Sequence, residues 1–184
     1  LIFNSLSSTI NIPSHPLRSL FKYSGTASRH NGTNSGSLRF LRLIPGGRKL
    51  RIGVDVGGTK LEAAAIDNNG AFLRRQRTPT PKSNYTDAVD AIVDLVREVE
   101  NAIGAEGTLG FGIPGTISPA SGLIKNAYNS PFNGHPLDKD LAARLERQVR
   151  LMNDANCFTI SEAKDGAAAG QHLVFGAILG TGCG

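Results

Sequence analysis

The 184-residue sequence has few cysteines and no long apolar run. Its two cysteines, Cys157 and Cys183, do not form a close pair, so we expect neither a disulfide framework nor a local zinc knuckle. A reducing compartment, the cytoplasm, fits this cysteine usage. Because no apolar run approaches the roughly 18 residues needed to span a bilayer, we also expect no membrane partner.

Acidic residues are absent before Asp55, and this absence divides the charge unevenly along the chain. The formal net charge is +5, yet residues 1–51 alone hold eight Lys and Arg. The remainder holds 12 Lys and Arg against 15 Asp and Glu, which gives it a net charge of −3. The main body therefore carries no basic face, and we expect no nucleic-acid partner.

Residues 1–49 form a basic leader with too little apolar content to pack. They are rich in Ser, Asn, Gly and Arg and show neither strand nor helix periodicity, so we predict that they are disordered. An acid-poor, Ser- and Arg-rich start is typical of an organelle transit peptide. The alternative, which we favour, is upstream sequence read in frame, with Leu50 as the first native residue.

From Leu50 onward, short apolar runs alternate with helical periods. The apolar runs predict strands over 50–56, 60–67, 71–79, 108–115, 122–127, 149–154 and 172–184. Apolar residues at helical spacing predict helices over 84–103, 137–148 and 155–170. The first three strands form antiparallel hairpins, and later strands alternate with helices. This order predicts an α/β fold in which helices cover a sheet.

A glycine turn, "DVGGTK", follows the first strand. Glycine lets the backbone approach a phosphate closely, so that several N–H groups can converge on its oxygens. A hydroxyl and a lysine follow the glycines, and the aspartate ahead of them could hold a hydrated Mg²⁺. The nucleotide-binding candidates are Asp55, Gly57, Gly58, Thr59 and Lys60. The alternative is a plain β-turn with an incidental aspartate.

A second glycine turn, "ILGTGCG", ends the sequence. Its phosphate-binding candidates are Gly180, Thr181 and Gly182. Two such turns could face each other across a cleft and hold one polyphosphate. Neither turn has the spacing of a Walker loop, and neither opens a Rossmann unit, because a strand and not a helix follows the first.

Between the two turns, "NDANC" follows a short strand and precedes a helix. Asp154 is the candidate general base, a carboxylate that accepts a proton from a hydroxyl group. The alternative is structural, since Asp and Asn are both good helix N-caps and this pair could simply start the helix.

Taken together, these motifs resemble the ROK family of sugar kinases. "GVDVGGTK", "GFGIPG", "KNA", "NDANC", "SEAKDGAAAG" and "ILGTGCG" occur in the order seen in that family, and the likeness is greatest to bacterial fructokinases of the manno(fructo)kinase type. It covers residues 50–184 and implies an actin-like, RNase H-like ATPase lobe, truncated before a second lobe is complete.

The resemblance implies roles for individual positions. The two glycine turns would bind ATP with Mg²⁺, and Asp154 would be the catalytic base. The implied sugar contacts are Gly115, Asn126, Asn129, Asn153 and Asp154. One departure concerns Tyr128, because family fructokinases tend to place an asparagine there. A structural zinc cluster is implied only beyond residue 184.

We therefore expect ATP-dependent phosphorylation of a hexose 6-hydroxyl, with fructose as the expected acceptor. The alternatives are another ROK hexokinase acting on glucose, mannose or N-acetylhexosamine, a ROK transcriptional repressor, and a non-catalytic actin-like ATP-binding protein. A homodimer is expected for the full-length protein, and the 184 residues alone are expected to be inactive.

Overall fold

A computed structural model describes residues 50–179, and these form two sheets and three helices. The elements in chain order are β1 Arg51–Val56, β2 Lys60–Ile66, β3 Phe72–Pro79, α1 Tyr85–Ile103, β4 Thr108–Ile113, β5 Thr116–Ile117, β6 Ile124–Lys125, α2 Leu137–Leu145, β7 Val149–Asn153 and α3 Asp154–Asp165. The predicted leader, residues 1–49, and the second glycine turn lie outside the described residues.

The main sheet has the strand order β3-β2-β1-β4-β7. β1 to β3 pair as antiparallel hairpins, whereas β1, β4 and β7 are parallel neighbours. The carboxyl ends of these three parallel strands therefore meet at one edge of the sheet. In open α/β sheets such an edge is where ligands bind.

One face of the sheet carries the hydrophobic core. Ile52, Val54 and Val56 of β1 are at most 1% exposed, and they lie in register with apolar residues of β2 and β4. The helix α1 covers this face with its apolar stripe, which includes the fully buried Ile92 and Val96. Ala64 and Ile66 of β2 alternate with the β2 residues in this register and are also buried, so β2 is covered on both of its faces.

Local signals in the sequence explain where the elements start and stop. The side chain of Asn84 caps α1 by accepting a bond from the Asp87 N–H at 2.8 Å, and Gly104 ends the helix at a φ of 73°. The carboxylate of Asp67 accepts the N–H groups of Asn69 and Ala71, which closes the β2–β3 turn.

The predicted last strand and the end of the last helix were wrong within the described residues. Residues 171–179 contain only an isolated bridge at Leu179, and the side chains of Leu173 and Phe175 are 92% exposed. An apolar run becomes a strand only where a partner strand accepts its backbone bonds, and no described strand does so. The helix α3 stops at Asp165 because Gly166 follows in extended backbone.

The short strand predicted over 122–127 has only two residues, and it belongs to a second sheet. β6 pairs antiparallel with β5, a strand that the sequence pattern did not predict. None of the helices in the described range is long and apolar enough to cross a membrane.

Candidate active site

Three of the predicted site regions meet at the carboxyl edge of the parallel strands. Asp55 lies near the end of β1, in register with Gly112 of β4. Gly115 lies two residues beyond β4, and Asn153 is the last residue of β7. The topology thus brings together segments that are about 100 positions apart in the sequence.

A cleft of about 1200 Å³ opens at this edge. Seven of the predicted site residues line it: Gly58, Thr59, Gly115, Asn126, Asn129, Asn153 and Asp154. Asp55, Gly57 and Lys60 do not line the cleft. The lining also contains residues that were not among the predicted site residues, among them Pro81, Lys82, Tyr128 and Ile178.

The first glycine turn is a tight hairpin between β1 and β2. The Gly57 N–H donates to the Lys60 carbonyl at 3.0 Å. A Cβ atom at position 57 would lie only 2.7 Å from that same carbonyl oxygen, so this position requires glycine. At Gly58 a Cβ would lie 3.4 Å from the Asn129 carbonyl oxygen. The turn therefore approaches the loop after β6 closely.

Thr80 is hydrogen-bonded to this turn, and the sequence analysis did not predict that contact. Its hydroxyl donates to the Gly57 carbonyl at 2.7 Å, and its N–H donates to the Thr59 carbonyl at 3.1 Å. Thr80 is 5% exposed and follows the last residue of β3. No sequence motif marks this role, because the two partners lie more than 20 positions earlier.

At the other side of the cleft, Asn153 organises the start of α3. Its Oδ1 accepts the Asn156 N–H at 3.2 Å, which makes Asn153 the N-cap. Its Nδ2 donates to the Gly115 carbonyl at 2.9 Å and to Oδ1 of Asp154 at 3.0 Å. The pair therefore does start the helix, with Asn153 as the cap and Asp154 as the first helical residue.

The carboxylate of Asp154 is held from two sides. Besides the Asn153 amide, the N–H of Ala155 donates to its Oδ1 at 2.8 Å. A carboxylate in the first turn of a helix is also favoured by the helix dipole. Because Asp154 lines the cleft, it can accept a proton from a hydroxyl group bound there.

Gly115 fits against the loop after β6 and has a φ of +71°. A Cβ atom there would collide with the Lys125 carbonyl oxygen and would lie 2.7 Å from the Ala127 nitrogen. This contact aligns Gly115 with Asn126, which adopts a positive φ of 59°. Asparagine tolerates that conformation better than most residues do.

The loop from Asn126 to Asn133 is closed by a side-chain clamp that the sequence analysis did not find. The Asn133 amide accepts the Ala127 N–H at 2.9 Å and donates to the Ala127 carbonyl at 2.8 Å. Asn129 has a φ of 52°, and Tyr128 is 82% exposed at the cleft. The aromatic ring of Tyr128 is therefore available to a ligand.

Asp55 is the most electrostatically unusual group near the cleft. Burial, with smaller contributions from the charges of Asp154 and Glu62, raises the pKa of Asp55 from 3.8 to about 6. Its neighbour across the β1–β2 pair, Glu62, is fully buried but forms ion pairs with Arg75 and Arg77. A cation beside Asp55 would relieve this destabilisation of its charged form.

A bound metal at this edge would depend on few protein ligands. No group of three His, Cys, Asp or Glu side chains converges within residues 50–179. Cys157 is buried, and burial raises the pKa of its thiol to about 12, so it is not a thiolate ligand. A single carboxylate fits Mg²⁺, which keeps most of its waters and binds through one or two carboxylates and substrate phosphates.

Comparison with known proteins identifies the family. Residues 51–184 match the ROK family. The chain is 44% identical over 132 residues to N-acetyl-D-glucosamine kinase of Salmonella paratyphi C (strain RKS4594), an alignment that covers 72% of this chain and 44% of that protein. The chain thus spans less than half the length of this curated relative.

Solved structures of family members share the fold. A ROK family glucokinase from Streptomyces griseus, in complex with glucose and AMPPNP, is 28% identical with a TM-score of 0.59, over 71% of this chain and 44% of that one. The inorganic polyphosphate/ATP-glucomannokinase from Arthrobacter sp. strain KM is 32% identical with a TM-score of 0.61. This match covers 74% of this chain and 56% of the glucomannokinase chain. The predicted fold, the mixed α/β actin-like ATPase lobe of ROK sugar kinases, is confirmed, and the chain belongs to the ROK family.

Proposed function

We propose that the protein is an ATP-dependent hexose kinase that phosphorylates the 6-hydroxyl of N-acetyl-D-glucosamine. The observation that carries this proposal is that Asp154 and two residues of the first glycine turn, Gly58 and Thr59, line the same cleft. A base and a phosphate-binding turn on one cleft are what phosphoryl transfer to a hydroxyl group requires.

The choice of acceptor rests on the relatives. The curated relative at 44% identity is an N-acetyl-D-glucosamine kinase, and the glucokinase structure is more distant at 28%. Nothing among these relatives favours the fructose that the motif resemblance suggested. We therefore rank N-acetyl-D-glucosamine first and glucose second.

In the proposed reaction, Asp154 accepts the proton of the sugar 6-hydroxyl as its oxygen attacks the γ-phosphorus of ATP. The new O–P bond forms while the bond to the β–γ bridging oxygen breaks, and ADP leaves. Asn153 keeps the Asp154 carboxylate aimed into the cleft through the 3.0 Å bond between the two side chains. Positioning and electrostatics of this kind supply most of the catalysis of phosphoryl transfer.

The sugar is proposed to lie between Gly115, Asn126, Asn129 and the Asn153–Asp154 pair. Both amide hydrogens of Asn153 already donate within the protein, so its contact with the sugar would use the remaining lone pair of Oδ1. Asn126 and Asn129 present side-chain amides on the cleft, which can donate to and accept from sugar hydroxyls.

The triphosphate is proposed to lie along the β1–β2 turn, with Gly57, Gly58, Thr59 and Lys60 on one side and the second glycine turn, Gly180 to Gly182, on the other. Asp55 would hold Mg²⁺ through bound water, and its raised pKa fits a carboxylate that gains from a nearby cation. When bound, Mg²⁺ supplies charge neutralisation on the phosphates. We further propose a cytoplasmic, homodimeric kinase.

A coupled assay of ADP release tests this proposal. The protein, produced from its complete reading frame, is given ATP and Mg²⁺ with N-acetyl-D-glucosamine, glucose, mannose or fructose in parallel. We expect the highest kcat/KM with N-acetyl-D-glucosamine. A preference of at least tenfold for fructose would contradict the acceptor assignment, and no turnover on any hexose would contradict the kinase itself.

A further inference from the structure

The β1–β2 glycine turn depends on a residue outside the motif. Thr80 makes two hydrogen bonds to it, one from its hydroxyl to the Gly57 carbonyl at 2.7 Å and one from its N–H to the Thr59 carbonyl at 3.1 Å. Among the described residues outside the turn, only Thr80 donates to both of these carbonyls. A single buried residue thus contacts two alternate peptide units of the turn.

These two bonds fix the direction of the turn's N–H groups. In a trans peptide unit the C=O of one residue and the N–H of the next point in opposite directions. Drawing the Gly57 carbonyl toward Thr80 therefore turns the Gly58 N–H away from Thr80. The bond from the Thr80 N–H to the Thr59 carbonyl likewise turns the Lys60 N–H away from Thr80.

The turn borders the cleft, whereas Thr80 does not. Gly58 and Thr59 line the cleft, and Thr80 is only 5% exposed. Pro81 and Lys82, which follow Thr80, line the cleft as well. Thr80 is therefore buried beside the turn, and we infer that the N–H groups turned away from it face the cleft.

Thr80 is itself held firmly in place. It lies between Pro79, the last residue of β3, and Pro81. Proline fixes its own φ and restricts the residue before it to extended backbone, so this segment has few alternative conformations. The register pairs Pro79 with Lys60, which anchors the segment to the start of β2.

We propose that Thr80 is a positioning residue for nucleotide binding. It orients the N–H groups of the β1–β2 turn toward the phosphates of the nucleotide, without touching the nucleotide itself. This inference rests on the proposed kinase function, and it adds a residue that lies outside the glycine motif.

The test removes the hydroxyl group and the methyl group of Thr80 one at a time, in the protein produced from its complete reading frame. Thr80→Val keeps the methyl group and loses the hydroxyl donor, whereas Thr80→Ser keeps the donor and loses the methyl group. Thr78→Val is the matched control, because Thr78 lies on β3 two residues before Thr80 and pairs with Leu61, away from the turn. Calorimetry measures binding of ATP·Mg²⁺ and, separately, of N-acetyl-D-glucosamine.

We expect Thr80→Val to weaken ATP·Mg²⁺ binding and to raise the KM for ATP about fivefold or more, the effect of one lost hydrogen bond that orients several others. Sugar affinity should change less than twofold. Thr80→Ser should restore nucleotide affinity to within about twofold of the parent protein, and Thr78→Val should leave it unchanged. If Thr80→Val does not fold, Thr80→Cys replaces it, because a thiol is a weak donor.

Two results would overturn the inference. One is unchanged ATP·Mg²⁺ affinity in Thr80→Val or its Cys replacement. The other is an equal loss of nucleotide and sugar affinity, which would make Thr80 a general structural residue. If the parent protein binds ATP·Mg²⁺ but phosphorylates no hexose, the proposed function fails while the binding comparison still decides the role of Thr80. If it binds no ATP·Mg²⁺, both fail.

Discussion

The two walls of the cleft are built in different ways. On the β1–β2 side the proposed phosphate-binding surface is backbone, and it is shaped by glycines and by Thr80. On the β7–α3 side the proposed base is a side chain, the Asp154 carboxylate, and the Asn153 amide donates a hydrogen bond to it. A phosphate can be recognised by any convergent set of N–H groups, whereas a proton must be accepted by one particular atom. The contrast predicts different sensitivities to mutation on the two sides.

The largest effect is expected from Asp154→Asn, on the β7–α3 wall. An amide cannot accept the hydroxyl proton, so kcat should fall by about 10²- to 10⁴-fold, or about 3 to 5 kcal/mol. The free energy of unfolding should change little, since Asn153 and not Asp154 caps the helix. Steady-state kinetics with N-acetyl-D-glucosamine and ATP, together with thermal unfolding, measure both quantities.

Asp94→Asn is the control for that substitution, because Asp94 is an exposed carboxylate on α1. It should retain the parent kcat within about twofold, as most surface substitutions do. An Asp154→Asn protein with a kcat within threefold of the parent would show that this carboxylate is not the base.

Asp55→Asn should stabilise the protein while impairing turnover. The pKa of Asp55 is about 6 in the folded state against an ordinary 3.8, so between about pH 4 and pH 6 the folded state holds a proton that the unfolded state has lost. The free energy of unfolding therefore falls as pH rises through this range, by on the order of 3 kcal/mol for about two pKa units. Asparagine does not ionise, so the Asp55→Asn protein should not lose this free energy of unfolding as pH rises.

Chemical denaturation without nucleotide or Mg²⁺ measures the effect. The variant should be more stable than the parent protein at pH 7.5, and the difference should vanish near pH 4. A variant that is less stable than the parent at pH 7.5 would contradict the electrostatic description of Asp55.

Gly57→Ala should weaken nucleotide binding more than Gly58→Ala. A Cβ at position 57 would lie 2.7 Å from the Lys60 carbonyl oxygen and must displace backbone, whereas at position 58 the nearest atom is 3.4 Å away. Displacing packed backbone typically costs about 1 to 3 kcal/mol. Calorimetry with ATP·Mg²⁺ gives the ranking, and equal affinities for the two variants would contradict the tight geometry described for Gly57.

The smallest effect is expected from Asn153→Ala, which removes both the amide that orients Asp154 and the side-chain cap of α3. Losing the cap should cost about 1 kcal/mol of stability, and the freed Asp154 carboxylate should lower kcat by about tenfold. Asn153→Ser restores a capping oxygen but cannot donate to both Gly115 and Asp154. Unfolding measurements report the capping role, and steady-state kinetics report the orientation of Asp154. Asn153→Ser should recover the free energy of unfolding and leave kcat low. Recovery of both quantities would contradict the role of Asn153 in orienting Asp154.

The elements that positioned the cleft were largely predictable from sequence. Apolar periodicity located β1, β4, α1 and β7 to within a few residues. The first three bury a continuous face or stripe, and β7 packs the partly buried Val149 and Leu151 against the core. Asp154 and Gly58 were proposed as site residues from short local motifs, and both line the cleft; their roles stay predictions.

What the sequence could not reveal depends on contacts that no motif or period marks. Thr80 acts on carbonyls more than 20 positions earlier, and the Asn133 clamp acts within a loop that has no regular period. The strand predicted after residue 171 fails within the described residues because apolar content alone does not supply a partner strand. Which of Asn153 and Asp154 caps α3 was likewise undecided, because both residue types are good caps.

The most direct test of the account is to identify the product of the reaction. The protein from its complete reading frame is incubated with ATP, Mg²⁺ and N-acetyl-D-glucosamine, and the product is examined by phosphorus–proton correlation NMR. If Asp154 activates the 6-hydroxyl beside the γ-phosphate, the phosphorus signal should couple to the two protons on C6. A phosphorus signal coupled to the C1 proton, or inorganic phosphate as the only product, would contradict the account.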